Sequence, residues 1–589
     1  MDKQRAILSL RAFMEREEIS AMIIPSNDPH FGEYIPDHYK CREWLSHFTG
    51  SAGTLVVTSD KAALWTDSRY FVQAEKELEG TGITLMKLKM EGTPSINEWL
   101  RGELDEESVV AVDEDLFSYQ EYGQLVDELS PINVTMIEDP FDEIWEGRPQ
   151  LEFHKVECMD ESVAGESVSS KHRRVCGALV GPYRFAYIVT ALDEIAWLCN
   201  IRGTDVEYNP LVLSYAVVTQ ERITLFACEE KFTPEALSVL YSQGVEIRDY
   251  RSFAKYLSDL EKSCVRIFSS NKVTSKHYFA ALENIHPTSM FPSVLPDPTP
   301  GGTINLMKSV KNSAELDGFR KACEEDAKAW AKLMSYLKEN IIDKSEEEYA
   351  QSPITEYQVA QKLISFRKES PDYRGESFEP IVAYGANGAL PHYSATEENC
   401  AVISKRGFLL IDSGAQYLYG TTDTTRTIPM GPLTEEEKRD YTAVLKGMVD
   451  LSMAKFPKGT RGAQLDILAR GPVFALGKRY LHGTGHGIGH YLCVHEGPQS
   501  IRMEENPVML QQGMVMSNEP AVYVDGSHGI RIENTIVVAP WIAADDTDYY
   551  QFETITKIPI SSEPVIASML SDQEKEWLYS HDFMTQFSE

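Results

Sequence analysis

Residues 408–428 read Phe408-Leu-Leu-Ile-Asp412-Ser-Gly-Ala-Gln-Tyr-Leu-Tyr-Gly-Thr-Thr-Asp423-Thr-Thr-Arg426-Thr-Ile. Apolar and β-branched residues flank a polar centre, which predicts two strands joined by a short turn near Tyr417 and Leu418. Folded there, Asp412 and Asp423 face each other across the ladder with Cβ atoms roughly 4.5–5.5 Å apart. Like charges at that separation are destabilising, and a cation between them removes the penalty.

A second segment repeats the device: Met514-Val-Met-Ser-Asn-Glu519-Pro-Ala-Val-Tyr523-Val-Asp-Gly526-Ser-His-Gly529-Ile-Arg531-Ile-Glu533-Asn-Thr. The Asp-Gly-Ser-His-Gly cluster is the expected turn, and Gly526 at its centre is equidistant from Glu519 and Glu533. Alternation puts Arg531 on the face of Glu533, placed to orient that carboxylate or to meet a substrate. Pro520 has no N–H for a ladder, so a bulge is expected beside Glu519.

Between the two lies His482-Gly-Thr-Gly-His486-Gly-Ile-Gly-His490-Tyr-Leu-Cys-Val-His495-Glu-Gly-Pro. His482 and His486 have the i,i+4 spacing of a helical zinc site, but four glycines within 483–489 make a helix unfavourable, and a loop is expected. Four carboxylates bring about four negative charges, which two divalent ions cancel, with His486 as a neutral fifth ligand. A single zinc site takes fewer carboxylates and more sulfur or imidazole. Oxygen-rich donors suit Mn2+, with Co2+ or Zn2+ as alternatives. Two such ions acidify a water and clamp a tetrahedral intermediate, so hydrolysis is the expected reaction. Taken singly, each acid reads as a solvated strand residue; the constellation carries the inference.

These motifs resemble the pita-bread metallopeptidases, and within them the long, three-domain Xaa-Pro aminopeptidases. The resemblance extends to Ser26-Asn-Asp-Pro-His, Phe48-Thr-Gly-Ser-Ala-Gly and Leu64-Trp-Thr-Asp-Ser-Arg69-Tyr near the start, and to Phe552-Glu-Thr-Ile-Thr and Glu576-Trp-Leu-Tyr-Ser-His near the end. It implies that Asp412, Asp423, His486, Glu519 and Glu533 hold a dinuclear centre, usually manganese, with Asp423 and Glu533 bridging. It implies catalytic roles for His392 beside the scissile bond, for His495 on the intermediate, and for Glu519 as general base or proton shuttle to metal-activated hydroxide. His482, Tyr523 and Arg531 are assigned to substrate binding, with His482 lining a pocket for a proline ring. Tyr419 departs from the acid common before Gly-Thr-Thr, and Pro391 from the apolar residue that often precedes the histidine. His490 receives no role, and Arg69 defaults to a surface or interdomain ion pair.

The implied activity removes the first residue of a peptide whose second residue is proline. That bond lies before a residue with no N–H, so proteases that grip extended backbone lose a contact there. An apolar slot for the ring and electrophilic ions for the carbonyl supply the alternative. An Xaa-Pro dipeptidase would share the ligands, and a peptidase-like binding module would have no reason to keep them all.

Composition agrees with a soluble cytoplasmic enzyme. The 589 residues carry 56 basic and 90 acidic side chains, and the net charge of −34 disfavours nucleic-acid or anionic-membrane partners. Charges interrupt each apolar stretch of Met1–Phe13, which reads as an amphipathic helix rather than a signal peptide. Nine cysteines without a Cys-x-x-Cys pair fit a reducing compartment.

An internal repeat organises the first half: Arg42-Glu-Trp-Leu-Ser-His-Phe-Thr-Gly and Thr54-Leu-Val-Val-Thr are echoed by Glu194-Ile-Ala-Trp-Leu-Cys-Asn-Ile-Arg-Gly and Tyr215-Ala-Val-Val-Thr. Helices are expected near 70–78 and 234–241, and a connection over 145–170. A Pro-Gly linker, Pro296-Asp-Pro-Thr-Pro-Gly-Gly, precedes a capped helix running past Lys332. The expected fold class is therefore α/β (α+β): two related creatinase-like α/β domains over 1–155 and 160–300, then a pita-bread catalytic domain over 303–589. The resemblance also implies a homodimer.

Overall fold

The structure, a computed structural model, describes residues 4–179, 184–260, 266–270, 272, 274–278, 294–543 and 546–584. They form two compact units, one of Met1–Met159 with Glu166–Pro298 and one of Asp160–Gly165 with Thr299–Glu589. Parts of the expected second domain, residues 261–265 and 279–293, lie outside the described residues, as do the first three residues of the amphipathic stretch.

The first unit contains two six-stranded sheets with the same wiring. One runs Thr84–Lys87, Ala62–Thr66, Thr54–Thr58, Ala21–Ile24, Val109–Asp113, Asn133–Ile137; the other runs Val245–Arg248, Ile223–Phe226, Tyr215–Thr219, Phe185–Val189, Arg266–Ser269, Val294–Pro296. In each, the second-to-third and third-to-fourth pairs are antiparallel and the others parallel. The repeat is thus structural. It reaches the helix ends: Cys41–Ser46 stops on His47 at φ 60°, and Leu192–Cys199 stops on Asn200 at φ 52°. Both residues follow the Trp-Leu-x of the repeat and take the left-handed conformation that closes a helix.

The predicted helices appear at Phe71–Glu77 and at Pro234–Ser242, the latter capped by Thr233. The amphipathic start is helical over Arg5–Arg16 and buries Ala6, Ile7, Leu10 and Met14. The stretch over 145–170 is more than a connection. Glu157–Cys158 pairs with Ile201–Arg202, and Asp160 caps a short helix, Glu161–Ala164. Among the described residues no helix is long and apolar enough to cross a membrane. Arg69 pairs with Asp67 at 2.8 Å, a local ion pair.

In the second unit, Asn312 and Glu315 form a capping box that starts the 25-residue helix Ser313–Leu337. The first acid segment becomes Phe408–Ser413, flanked by Ile381–Tyr384 and Thr424–Pro429. A six-stranded sheet orders Lys455–Pro457, Asp546–Thr554, Asn534–Ala543, Val515–Asn518, Gly485–Gly487 and Glu496–Ile501. Ala521–Val524 and His528–Arg531 form a separate hairpin. Helix Glu435–Ser452 packs Tyr441, Val444, Leu445, Met448 and Val449 against Val522 and Ile530 of that hairpin and Ile532 just after it. Burying such side chains contributes about 1.5–3 kcal/mol each, which holds the hairpin firmly in place.

Candidate metal centre

The first acid pair is arranged differently from expectation. Asp412 faces Thr425 and Ser413 faces Thr424, and the same register continues to Gln416 opposite Thr421 and Tyr417 opposite Gly420. The turn therefore falls at Leu418 and Tyr419, and Asp423 lies opposite Gly414. Asp412 and Asp423 are diagonal neighbours on one face, not face-to-face partners. The reason lies in the neighbouring helix: a Cβ at Gly420 would stand 3.0 Å from Ala322 Cβ and 3.2 Å from Phe319 Cα, so this register puts a glycine where there is no room for a side chain.

The second pair has the expected symmetry. Ala521 faces Arg531 on one side and Asn518 faces Asn534 on the other, which sets Glu519 opposite Glu533. No residue is inserted, so the interruption at Pro520 is a break in the ladder rather than a bulge. Each glutamate turns its N–H to a distant segment, Glu519 to the Thr484 carbonyl at 2.8 Å and Glu533 to the Thr425 carbonyl at 3.1 Å.

His486 sits in a strand, Gly485–Gly487, rather than in a loop. The flanking glycines are required by close backbone approach: a Cβ would meet the Ser517 carbonyl at 2.1 Å from Gly485 and Gln499 Nε2 at 2.2 Å from Gly487. His486 Nδ1 lies 2.9 Å from the Gly487 carbonyl, which can only accept, so Nδ1 donates there and Nε2 is the nitrogen that faces the acids. His486 Nε2 is 3.3 Å from Asp423 and 3.6 Å from Glu519. Asp423, His486 and Glu533 each bring a donor atom within 4.8 Å of the others.

Electrostatics show a site short of positive charge. Burial raises the Glu533 carboxyl well above its ordinary range, and Asp423, Asp412 and Glu519 push it further. Burial pushes Glu519 up to about 7 against the pull of His486 and Arg531, and Asp412 is raised by burial too. Burial works against the His486 imidazolium, but the Asp423 hydrogen bond and the nearby acids prevail and lift it to about 9. Asp412 Oδ1 is buried without a hydrogen-bond partner among the described residues. Three carboxyls raised by burial beside a fourth acid, an orphaned carboxylate oxygen and an imidazole nitrogen facing them fit a pair of divalent cations.

Side chains outside that set hold it in shape. Arg531, 3% exposed, donates to Asp412 Oδ2 at 2.5 Å, to the Tyr523 hydroxyl at 2.6 Å and to Thr425 Oγ1 at 3.2 Å. Arg531, expected to orient Glu533 or to meet a substrate, orients a different carboxylate, Asp412. Tyr523 lies 2.9 Å from His482 Nε2, while His482 Nδ1 donates to the Gly483 carbonyl at 2.7 Å. A chain of hydrogen bonds thus runs from Asp412 through Arg531 and Tyr523 to His482. His495 is exposed, its ring perpendicular to that of His486 at 4.4 Å between centroids. His392 is half-buried in the loop after Ile381–Tyr384, a strand whose Ile381 faces Asp412. His490 is buried beside Phe319, with Nδ1 4.0 Å from Glu315. Tyr419 donates to Asp372 at 2.9 Å and carries the Lys321 ammonium over its ring.

Two residues of the Thr-Thr-Arg-Thr run have roles that sequence reading left unassigned. Thr425 donates to Glu533 Oε2 at 2.8 Å. Arg426, buried, donates to the carbonyls of Glu533, Ile558 and Pro559 and to Asn534 Oδ1, clamping the backbone at Glu533. An arginine in the middle of a β-branched strand was the available signal.

Paired acid hairpins around an imidazole, on this sheet arrangement, define a metallopeptidase of the pita-bread class. Residues 317–540 match metallopeptidase family M24, and residues 7–144 and 147–315 each match a creatinase/prolidase N-terminal domain. The chain is 37% identical to Xaa-Pro aminopeptidase 1 of Dictyostelium discoideum over 99% of its length and 92% of that protein's. It is 37% identical to aminopeptidase P2 of Arabidopsis thaliana, covering 96% of this chain and 82% of the relative. An X-prolyl aminopeptidase from Caenorhabditis elegans, described as a cytosolic enzyme with a di-nuclear active site, superposes with a TM-score of 0.92 at 30% identity, over 99% of this chain and 95% of the other. The chain belongs to metallopeptidase family M24, with two creatinase-type domains ahead of the catalytic one.

Proposed function

We propose that this chain is a metal-dependent aminopeptidase that hydrolyses the bond between the first residue of a peptide and a proline in second place. The observation that carries the reading is the convergence of Asp423, Glu519 and Glu533 on His486, with the buried Asp412 on the same face as Asp423. Asp412, Asp423, His486, Glu519 and Glu533 would hold two divalent ions, Mn2+ first by donor hardness, then Co2+ or Zn2+. When bound, the ions supply an acidified water, a polarised carbonyl and a grip on the substrate's free amine.

The chain's own residues do the rest. Glu519, whose proton affinity burial has raised toward neutrality, takes a proton from the attacking water and passes it to the departing proline nitrogen. His392 donates to the peptide near the scissile bond, and His495 stabilises the negative charge that develops on the former carbonyl oxygen. His482 lines the slot for the proline ring, and Tyr523 and Arg531 keep that imidazole in register with Asp412. The same reading gives a cytoplasmic homodimer with peptides, not nucleic acid or membranes, as partners, and three domains at 1–155, 160–300 and 303–589.

Hydrolysis of Arg-Pro-Pro, Arg-Ala-Pro and Arg-Pro, with and without added Mn2+, tests it. Metal-dependent release of arginine from Arg-Pro-Pro alone is the expected result. Preference for Arg-Pro would make the chain a dipeptidase, and no cleavage by metal-loaded protein would leave a binding module.

A further inference from the structure

The loop that carries His392 is staked to a single buried carboxylate. Glu356, the first residue of helix Glu356–Arg367, is completely buried. It accepts from Tyr384 N at 2.5 Å, from Asn387 Nδ2 at 3.0 and 3.2 Å, from the Tyr393 hydroxyl at 2.7 Å and from Ala401 N at 2.6 Å. Those four donors span the loop: its entry, its first turn, the residue after His392, and its exit. Glu356 N in turn donates to the Ala401 carbonyl at 3.1 Å.

A long loop with one short 3-10 turn, Gly385–Ala389, has few means of holding a shape, and loops of more than about 12–15 residues without structure of their own are commonly functional. The residues from Thr396 to Asn399 are exposed, so apolar packing does not fix that side. The opposite side is pressed against the ligand hairpin: a Cβ on Gly529 would lie 1.6 Å from the Gly388 carbonyl oxygen. Gly529 is two residues from Arg531. His392 is therefore held between a carboxylate that anchors its loop and a backbone contact with the strand that orders the centre.

We infer that Glu356 is a positioning residue for the peptidase reaction, setting where His392 meets the peptide; this rests on the role given to His392 above. Carboxylate chemistry is what the site requires, because two oxygens with about four lone-pair directions serve four donors at once. An amide in its place offers one acceptor and turns an N–H₂ group toward donors.

The test is a set of double-mutant cycles on metal-loaded protein with Arg-Pro-Pro, using Glu356→Gln, Tyr393→Phe and His392→Ala, with kcat, KM and bound metal measured for each. Glu356→Gln is expected to lower kcat/KM by about tenfold or more, mainly in kcat and with full metal content, and to cost less than about twofold in the His392→Ala background. Tyr393→Phe removes one hydroxyl and tests the idea even where Glu356→Gln folds poorly. It is expected to cost about threefold alone and nothing without His392. Equal losses in both backgrounds, loss of metal, or unchanged kcat/KM in folded Glu356→Gln would each overturn the inference. Full activity in His392→Ala alone would remove His392 from the reaction and this inference with it, a failure told apart from the others by that single variant.

Discussion

Gly414→Ala should damage the centre more than it damages the fold. Gly414 lies two residues past Asp412 and opposite Asp423 by register. A Cβ there would stand 1.9 Å from the Thr422 carbonyl oxygen and 2.3 Å from Ser377 Oγ. Non-bonded carbon and oxygen do not approach closer than about 3 Å, so the backbone next to Asp423 has to retreat by about 1 Å. Ser377 offers no slack, because its N–H donates to the Gly414 carbonyl and its hydroxyl to Thr422 O, both at 3.0 Å. Overpacking of this kind costs about 1–3 kcal/mol, and the Tm shift per kcal/mol is at or below the roughly 2 °C of a 250-residue domain, because the unfolding entropy grows with size. A 1 Å displacement of a reacting group costs about 100-fold in rate. We expect kcat/KM on Arg-Pro-Pro to fall about 100-fold, with a Tm loss of a few degrees and reduced bound metal. Gly471→Ala is the control, since nothing lies within 4 Å of its Cβ position. Two bound metals and activity within threefold of the parent in Gly414→Ala would refute the register on which this rests.

Asp423→Asn and Glu533→Gln should each cut turnover by orders of magnitude, with metal analysis separating loss of ions from loss of activation; near-normal turnover with native metal removes those residues from the mechanism. His482→Ala should weaken selectivity for proline more than metal content, whereas His486→Ala should lose metal; equal metal loss in both contradicts the assignment. Chelation should lower Tm more at pH 8 than at pH 6. In the metal-free protein Glu519 titrates near 7 and Glu533 and Asp412 are raised, so each contributes stability when protonated and loses it as pH rises through its folded pKa. His486, raised from 6.5 to about 9, works in the same direction: its contribution is full below its unfolded value and is being lost from there upward through the window. Glu519 and His486 together make the loss from pH 6 to 8 roughly 3 kcal/mol, absent from metal-loaded protein, and equal chelation effects at both pH values would refute it.

Much of the site is legible along the chain because hairpins are local objects. The symmetry of Glu519 and Glu533 about Gly526 follows from strand alternation and turn chemistry, and the structure keeps that register on both sides of Pro520. The duplicated first half is equally legible, since both copies repeat the same hairpin and the same helix stop. The diagonal offset of Asp412 and Asp423 is not, because a packed helix beside Gly420, rather than the hairpin's own residues, selects the turn. The strand at Gly485–Gly487 is likewise set by its neighbours, which supply the hydrogen bonds that a glycine-rich segment does not earn by propensity.

The chain alone therefore shows which side chains are oxygen and nitrogen donors and that each acid pair flanks a turn, since those depend on residue type and on spacings of a few residues. Tertiary structure alone decided that the two hairpins meet. Asp412 reaches Arg531, Thr425 reaches Glu533, and Glu356 gathers donors from Tyr384 to Ala401, across as many as 119 residues of chain. No local preference encodes such encounters. They arise because each buried charge, once water is removed, requires a partner, and only the packing of distant elements determines which partner is within reach.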